Sequence, residues 1–160
     1  MTAAKTAKTL LTRLHEAHPG ARYELNWTTP YELLVATILA AQCTDERVNR
    51  VTATLFQKYR GPQALADADT AQLEEDLKPT GFYKQKTKSV QAMSRALLEK
   101  FGGEVPRTLE ELITLPGVAR KTANVVLNTA FNLPSGVIVD THVVRVSQRM
   151  GLTKKDKPEE

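Results

Sequence analysis

The sequence predicts an all-α protein, and three observations support this fold class. Apolar residues recur at helical spacing through most of the chain, several of these segments begin with helix-capping patterns, and glycine or proline follows them. Only residues 136–139 weakly indicate a strand. With 160 residues, of which 41% are hydrophobic and 25% charged, the chain has the length and composition of a soluble globular protein.

The first half of the chain carries three predicted helices. The first covers residues 4–17. The second begins at residues 29–32, which have the capping-box spacing with Pro at the first helical position, and it continues through Gln42. Because this helix is apolar on every side, we expect it at the centre of a bundle. The third helix begins at Thr44 and ends at the Gly-Pro pair 61–62.

Further helices are predicted in the second half. A short helical piece over 63–66 precedes a helix that Asp69 caps, and an amphipathic helix covers residues 84–101. Thr108 caps another short helix. A Pro-Gly turn at 116–117 then leads into an apolar helix.

Residues 115–128 carry the strongest functional pattern, because the Pro-Gly turn enters a helix that opens with two cations, Arg120 and Lys121. Gly117 permits a positive φ and a close approach of a ligand to the backbone. The N–H groups and the positive dipole end of the helix can bind a phosphate oxygen. Residues 77–84 form a second, weaker turn with basic residues behind it, which we interpret as another DNA-facing turn.

Lys121 is a candidate nucleophile, and Asp140 is its candidate partner. The helix dipole and Arg120 both disfavour a positive charge on the Lys121 side chain, so part of it can be a free amine. Asp140 ends the apolar run 137–139 and could face that amine. Taken alone, Lys121 is more often a surface phosphate contact and Asp140 a helix N-cap. Together with the turn, the two residues indicate chemistry on nucleic acid.

Charge and cysteine usage limit the function classes. The net charge of +4 favours a polyanionic partner only mildly, but residues 64–77 carry five acids and no cation, whereas residues 84–100 carry five cations and one acid. We therefore expect the acidic stretch to face away from bound DNA. The single cysteine, Cys43, excludes an internal disulfide and a cysteine-based metal site within this chain.

No targeting signal is recognisable in the sequence. No apolar run approaches the roughly 20 residues that cross a bilayer, and the N-terminus lacks the apolar core of a secretory signal. We therefore expect a cytoplasmic, nucleoid-associated protein with no membrane partner. The lysine- and glutamate-rich residues 154–160 look like a severed connection rather than a natural end.

The core of the pattern, residues 115–128 followed by residues 139–142, resembles the helix-hairpin-helix DNA glycosylases and, within them, the endonuclease III family. The resemblance runs from the first helix to about Met150. It implies two helical domains with DNA bound across the cleft between them. The six-helix barrel domain would be residues 22–131, with the helix-hairpin-helix at about 108–130.

The resemblance also implies a second helical domain, which would be incomplete here. Residues 1–21 and 132–160 would form part of it. In the family its final part holds a [4Fe-4S] cluster through four cysteines, which we expect beyond Glu160. A monovalent cation bound by hairpin carbonyls in the presence of DNA is a further implied ligand.

The implied activity is that of a bifunctional base excision repair enzyme. It removes oxidised pyrimidines from double-stranded DNA, acts as a monomer, and cleaves the abasic site by β-elimination through a Schiff base on Lys121. Asp140 would keep the amine unprotonated or stabilise positive charge on the sugar. Two alternatives remain: a monofunctional adenine glycosylase, whose known members lack this lysine, and a non-catalytic helix-hairpin-helix DNA-binding fragment.

Several residues would contact DNA on this resemblance. Gln42 matches a glutamine that fills the gap left by the extruded base, although it could equally be a polar residue ending the buried helix. Phe82 lies where relatives carry an apolar wedge, and its alternative role is to cap the barrel core. The hairpin contributes Gly117, Val118, Ala119, Arg120 and Thr122.

Three further positions bear on the resemblance. Ala119 departs from the family pattern, which usually has a second glycine there, and its methyl group narrows the backbone choice. Asp45 matches a family position near the site, but we interpret it first as a helix cap. His142 follows Asp140 as in the family and is expected to be structural.

Overall fold

The structure, a computed structural model, describes residues 3–133 and 136–157, and within them the fold is all-α, as predicted. These two ranges contain no β-strand, so the weak strand pattern at 136–139 was misleading. Residues 158–160, the end of the supposed severed connection, lie outside the described residues. The α-helices of the described residues, α1 to α9, are Ala3–Ala17, Pro30–Leu39, Asp45–Lys58, Gly61–Ala66, Thr70–Leu77, Tyr83–Phe101, Leu109–Leu112, Arg120–Ala130 and Thr141–Arg149.

Two compact units make up the chain. The larger unit is Glu24–Gly136 and contains α2 to α8, and the smaller unit is Met1–Tyr23 with Val137–Glu160 and contains α1 and α9. All buried hydrophobic residues of the described ranges fall between Leu25 and Leu127. The hydrophobic core therefore belongs to the larger unit. No helix in the described ranges is long and apolar enough to span a bilayer.

Helix α2 is the buried centre of the larger unit, as its sequence predicts. Its N-terminus has the predicted cap, because the Thr29 hydroxyl accepts the Glu32 N–H at 3.2 Å. The Glu32 carboxylate in turn accepts the N–H of Thr28 at 2.6 Å, one residue earlier than in the usual capping box. The helix packs against α3, α6 and α8. Its residues with no solvent exposure are Leu33, Leu34, Val35, Ala36 and Leu39.

Helix α2 is shorter than predicted. It ends at Leu39 rather than at Gln42. The N–H of Cys43 donates to the C=O of Ala40 at 3.1 Å, so a tight turn replaces the helical hydrogen bonds. Gln42 has a φ of 52°, which lies in the left-handed region and is incompatible with a continuing helix. Gln42 therefore belongs to an exposed turn after α2.

Helix α6 is the second scaffold of the larger unit, and it packs against α2, α4 and α5. The Ser94 hydroxyl donates to the Val90 C=O at 2.8 Å, so the Tyr31 hydroxyl is the donor in its 2.7 Å bond to Ser94. Burial raises the pKa of Tyr31, while the Ser94 hydrogen bond acts in the opposite direction. The Gln91 side chain donates to the Ala68 C=O at 2.8 Å. These buried hydrogen bonds fix α6 to α2 and to the segment before α5.

Candidate nucleic-acid interface

Helix α7, a turn and helix α8 form a helix-hairpin-helix in the larger unit. The N–H of Leu115 donates to the C=O of Leu112, and the N–H of Val118 donates to the C=O of Leu115, each at 3.1 Å. Both leucines are buried, so the turn is attached to the core. Helix α8 begins at Arg120, with Ala119 as its N-cap. The first N–H groups of a helix have no partner within it, and its dipole is positive at this end, so the turn is suited to an anion.

Gly117 is required in this turn for two separate reasons. Its φ of 76° lies in the left-handed region, which disfavours residues with a side chain. A Cβ placed on Gly117 would also lie only 2.9 Å from the Cβ of Ser89 on α6. The hairpin turn therefore rests directly against α6, and the absence of a side chain permits that close approach.

Ala119, the departure from the family pattern, fits its position without strain. Its φ of −87° and ψ of 168° are extended backbone that alanine readily adopts. Its C=O accepts the N–H of Ala123 at 3.0 Å, the first hydrogen bond of α8. The methyl group therefore does not distort the start of the helix.

The hairpin residues that are predicted to contact DNA differ in solvent exposure. Val118 is only 6% exposed, and its N–H already donates to Leu115, so its side chain and its N–H are both engaged within the protein. The predicted contact of Val118 with DNA stays a prediction. Arg120 is exposed and Thr122 is half-buried.

Lys121 lies in the first turn of α8 and is exposed. Helices usually carry acids in this turn, where the dipole favours negative charge, but α8 has none there and instead carries Arg120 and Lys121. Two adjacent cations at the positive end of a helix are unfavourable for the helix itself. They increase the attraction of this surface for a phosphate.

Asp140 is the N-cap of α9, which belongs to the smaller unit. Its Oδ1 accepts the N–H groups of His142 and Val143, both at 2.9 Å. The interpretation of Asp140 as a helix cap is therefore confirmed, and the expected partnership with Lys121 stays a prediction. His142 is exposed in the first turn of α9, and its Nδ1 lies 3.2 Å from the Arg145 guanidinium.

Gln42 and Asp45 lie near the start of α3. Local sequence suggested that Gln42 ends helix α2 and that Asp45 caps helix α3, and the structure shows neither. Gln42 is exposed in the turn, so it does not end the buried helix. Thr44 is the N-cap residue of α3, and Asp45 is its first helical residue. The prediction that Asp45 caps this helix is therefore wrong. Its carboxylate instead lies in the first turn, where the helix dipole favours it.

Phe82 is presented to solvent by a strained turn. The segment Lys78–Thr80 is a 3-10 turn, after which Gly81 has a φ of 70° and Phe82 a φ of 47°. A left-handed conformation is unfavourable for a bulky residue such as phenylalanine. Phe82 is 67% exposed, so the alternative that it caps the barrel core is wrong.

Sequence reasoning missed two residues on α6 that lie behind these turns. Lys86 was counted among the cations of a basic helix, yet it is only 5% exposed. It precedes the buried Val90 by four residues, and this helical spacing was the available indication that Lys86 lies on the buried face. The contact of Ser89 with Gly117 has no counterpart in local sequence, since it joins segments far apart in the chain.

Metal binding is not supported by the side chains of the described ranges. They contain no group of three or more His, Cys, Asp or Glu residues placed to hold a metal ion. Cys43, the single cysteine of the chain, is half-buried in the turn after α2.

Comparisons with known proteins agree with the hairpin geometry. Residues 35–160 match the family model described as HhH-GPD superfamily base excision DNA repair protein. The chain is 56% identical to endonuclease III of Synechocystis sp. over 152 residues, which are 95% of this chain and 69% of that protein. It is 49% identical to endonuclease III of Bacillus subtilis over 144 residues, 90% of this chain and 65% of that protein. The chain thus spans about two thirds of the length of these relatives.

Solved structures of similar sequence share the fold. A non-covalent endonuclease III–DNA complex superposes with a TM-score of 0.91 at 44% identity, covering 98% of this chain and 72% of that one. A trapped endonuclease III–DNA covalent intermediate gives the same TM-score at 43% identity, covering 98% of this chain and 73% of that one.

The contact between Gly117 and Ser89 predicts a difference between two alanine variants. Gly117 and Gly102 both have positive φ, 76° and 61°, so alanine at either position introduces strain of about 1 kcal/mol or more. Only at position 117 does the new Cβ meet another side chain. We expect Gly117→Ala to destabilise the protein by about 1–3 kcal/mol more than Gly102→Ala in urea unfolding.

The double variant Ser89→Gly/Gly117→Ala serves as the control. Because this variant lacks the Cβ of residue 89, the additional loss of stability that alanine at position 117 causes should largely disappear. Equal destabilisation by the two single alanine variants in the wild-type background would show that the close approach to α6 does not restrict the turn.

Proposed function

The chain belongs to the HhH-GPD superfamily of base excision DNA repair proteins and, within it, to the endonuclease III family, and on this basis we propose that it is a bifunctional DNA glycosylase and abasic-site lyase. Its proposed substrate is double-stranded DNA with an oxidised pyrimidine or an abasic site. The observation that carries the proposal is the exposed Lys121 in the first turn of the second hairpin helix. One of the similar solved structures is a trapped endonuclease III–DNA covalent intermediate. A lysine nucleophile would form a covalent intermediate of this kind.

The proposed reaction begins once the damaged nucleotide has left the base stack. The uncharged Lys121 amine attacks C1′, the bond between C1′ and the base breaks, and its electron pair leaves with the base. The base takes up the proton that the amine loses. Opening of the sugar ring gives a Schiff base between Lys121 and C1′. Loss of a C2′ proton then expels the 3′-phosphate, which breaks the strand, and water releases the lysine.

Asp140 has two proposed roles in this reaction. Its carboxylate would accept a proton from the Lys121 ammonium group, which leaves the amine able to attack. Alternatively, it would stabilise positive charge on the sugar during base release. Both roles depend on its negative charge. They are compatible with the N-cap hydrogen bonds, because a carboxylate accepts several hydrogen bonds at once.

Three surface elements would hold the DNA. Residues 117–122 would bind a phosphate through N–H groups at the start of α8 and through Arg120. Gln42 would fill the gap left by the extruded nucleotide. Phe82 would press into the opposite strand as an apolar wedge, and its 67% exposure supports this role.

We further propose that residues 22–131 are the six-helix barrel domain and that the smaller unit belongs to the second domain. The [4Fe-4S] cluster expected for the family needs four cysteine thiolates, and this chain has one cysteine, so these residues do not fit the cluster and no step runs through it. The monovalent cation at the hairpin and the monomeric state stay predictions. The DNA substrate would place the protein on the nucleoid in the cytoplasm.

Borohydride trapping tests the nucleophile. Incubation with an abasic-site duplex and sodium borohydride should reduce the Schiff base to a stable protein–DNA adduct, visible as a band of reduced mobility. In Lys121→Ala the adduct yield should fall by at least about a thousandfold, the scale of a lost nucleophile. Lys100→Ala, which removes a lysine from the exposed C-terminal end of α6, is the matched control and should trap like the wild type.

Each other outcome has a defined meaning. An adduct that forms equally well in Lys121→Ala would exclude Lys121 as the nucleophile. Base release without strand scission would indicate a monofunctional glycosylase. Salt-sensitive DNA binding with neither reaction would indicate a non-catalytic helix-hairpin-helix module.

Two substitutions of Asp140 separate its charge from its capping role. Asparagine is also a good N-cap residue, so Asp140→Asn should keep the stability, whereas Asp140→Ala should lose about 1 kcal/mol in thermal unfolding. If the negative charge assists the reaction, both variants should slow base release by about a hundredfold or more under single-turnover conditions. Normal base release by Asp140→Asn would leave Asp140 with the capping role alone.

A further inference from the structure

The first turns of α6 contain a buried lysine that the proposed reaction does not use. Lys86 is 5% exposed, and its ammonium donates to the C=O of Thr80 at 2.8 Å. Thr80 is itself 1% exposed, and its hydroxyl donates to the C=O of Leu77 at 2.8 Å. Burial lowers the pKa of Lys86, and the charge of Cys43 acts in the opposite direction.

Residue 86 holds both ends of the bend that presents Phe82. Its side chain binds the C=O of Thr80, and its main-chain N–H donates to the C=O of Phe82 at 3.1 Å. Between these two carbonyls lie the residues with positive φ, Gly81 and Phe82. The strained bend is therefore closed on both sides by one residue of α6.

The bend needs such support because phenylalanine does not favour a left-handed backbone. A bulky residue persists there only when surrounding contacts over-determine its conformation. The main-chain bond from residue 86 would form with any residue except proline at that position, because it is part of the first helical turn. The bond to Thr80 depends on a long side chain with a terminal donor.

Stability alone does not account for a lysine at this position. Removing an ammonium group from water is unfavourable unless it is well paired, and the partner here is a neutral carbonyl. A methionine of similar length would fill the same space without that desolvation. The lysine therefore contributes something that an apolar side chain cannot, namely a donor to Thr80.

We infer that Lys86 is a positioning residue, which fixes the Thr80–Phe82 bend so that Phe82 is presented to the strand opposite the damaged base. This inference rests on the proposed function, since it assigns Lys86 a part in extruding the nucleotide. Lys86 touches neither the DNA nor the reacting atoms. It acts through Phe82, so its effect should be confined to substrates on which a wedge can act.

The experiment compares the wild type, Lys86→Met, Phe82→Ala and the double variant. The first substrate is a duplex with thymine glycol opposite adenine, on which base release is measured under single-turnover conditions. The second is a single-stranded oligonucleotide with a preformed abasic site, which has no opposite strand, and on which borohydride trapping is measured. Lys100→Met removes the same charge from the exposed end of α6 and is the matched control.

Lys86→Met should lower the duplex rate by about tenfold to a hundredfold, because small misplacements in a site have effects of this size. The double variant should be no slower than the slower single variant, because both substitutions remove the same function. Trapping of Lys86→Met on the single strand should stay within about twofold of the wild type, since the barrier that the wedge lowers is absent. Should Lys86→Met melt well below the wild type, Lys86→Leu, which also lacks a donor, takes its place in the same cycle.

A wild-type duplex rate in Lys86→Met would overturn the inference. The inference would also be overturned if the double variant showed the rate reductions of both single variants combined, or if Lys86→Met reduced single-strand trapping as much as it reduced the duplex rate. In either case Lys86 would act on the reaction by a route other than Phe82. Failure of the wild type to trap an abasic site in either the duplex or the single strand is a separate result, which contradicts the proposed function itself.

Discussion

The candidate interface depends on the first two turns of α6. The turn around Phe82 is held there by residue 86, through the carbonyls of Thr80 and Phe82. The hairpin turn meets the same helix where a Cβ on Gly117 would come within 2.9 Å of Ser89. Both turns that are expected to contact DNA therefore share one support within the larger unit, and their spacing follows from the spacing of residues 86 and 89 along one helix.

This support is rigid because α6 lies on the buried centre of the larger unit. Every residue of helix α2 is buried or half-buried. The buried hydrogen bond between Tyr31 and Ser94 connects this helix to α6. The functional residues occupy turns and helix starts, where the backbone can present N–H groups and side chains to a ligand. Positive charge at the start of α8 and an exposed apolar ring at the start of α6 are each unfavourable for folding. Both features suit a surface that binds phosphate and unstacks bases.

Local patterns were sufficient to predict the elements that depend on local interactions. The all-α class, the buried α2, the cap at Thr29 and the hairpin with its positive φ at Gly117 follow from helical spacing and from the conformational limits of single residues. The capping role of Asp140 was also recognisable as one of two interpretations, because an acid before an apolar helix is a common N-cap. The exposure of Phe82 was not recognisable from sequence, since an apolar residue after a glycine fits a core or a surface equally well.

Features that depend on tertiary contacts were missed. The burial of Lys86, the contact of Ser89 with Gly117 and the use of the Val118 N–H all require segments distant in sequence or a specific turn geometry. The concern about Ala119 likewise could not be settled from sequence, because its φ of −87° is set by the turn before it.

Hydrogen–deuterium exchange in the presence of a duplex with a non-reactive tetrahydrofuran abasic site tests the shared interface most directly. If the two turns form one interface, the amides of residues 78–82 and 115–122 become protected together, while those of the acidic residues 64–77 are unchanged. Protection of the acidic stretch, or of only one of the two turns, would contradict it.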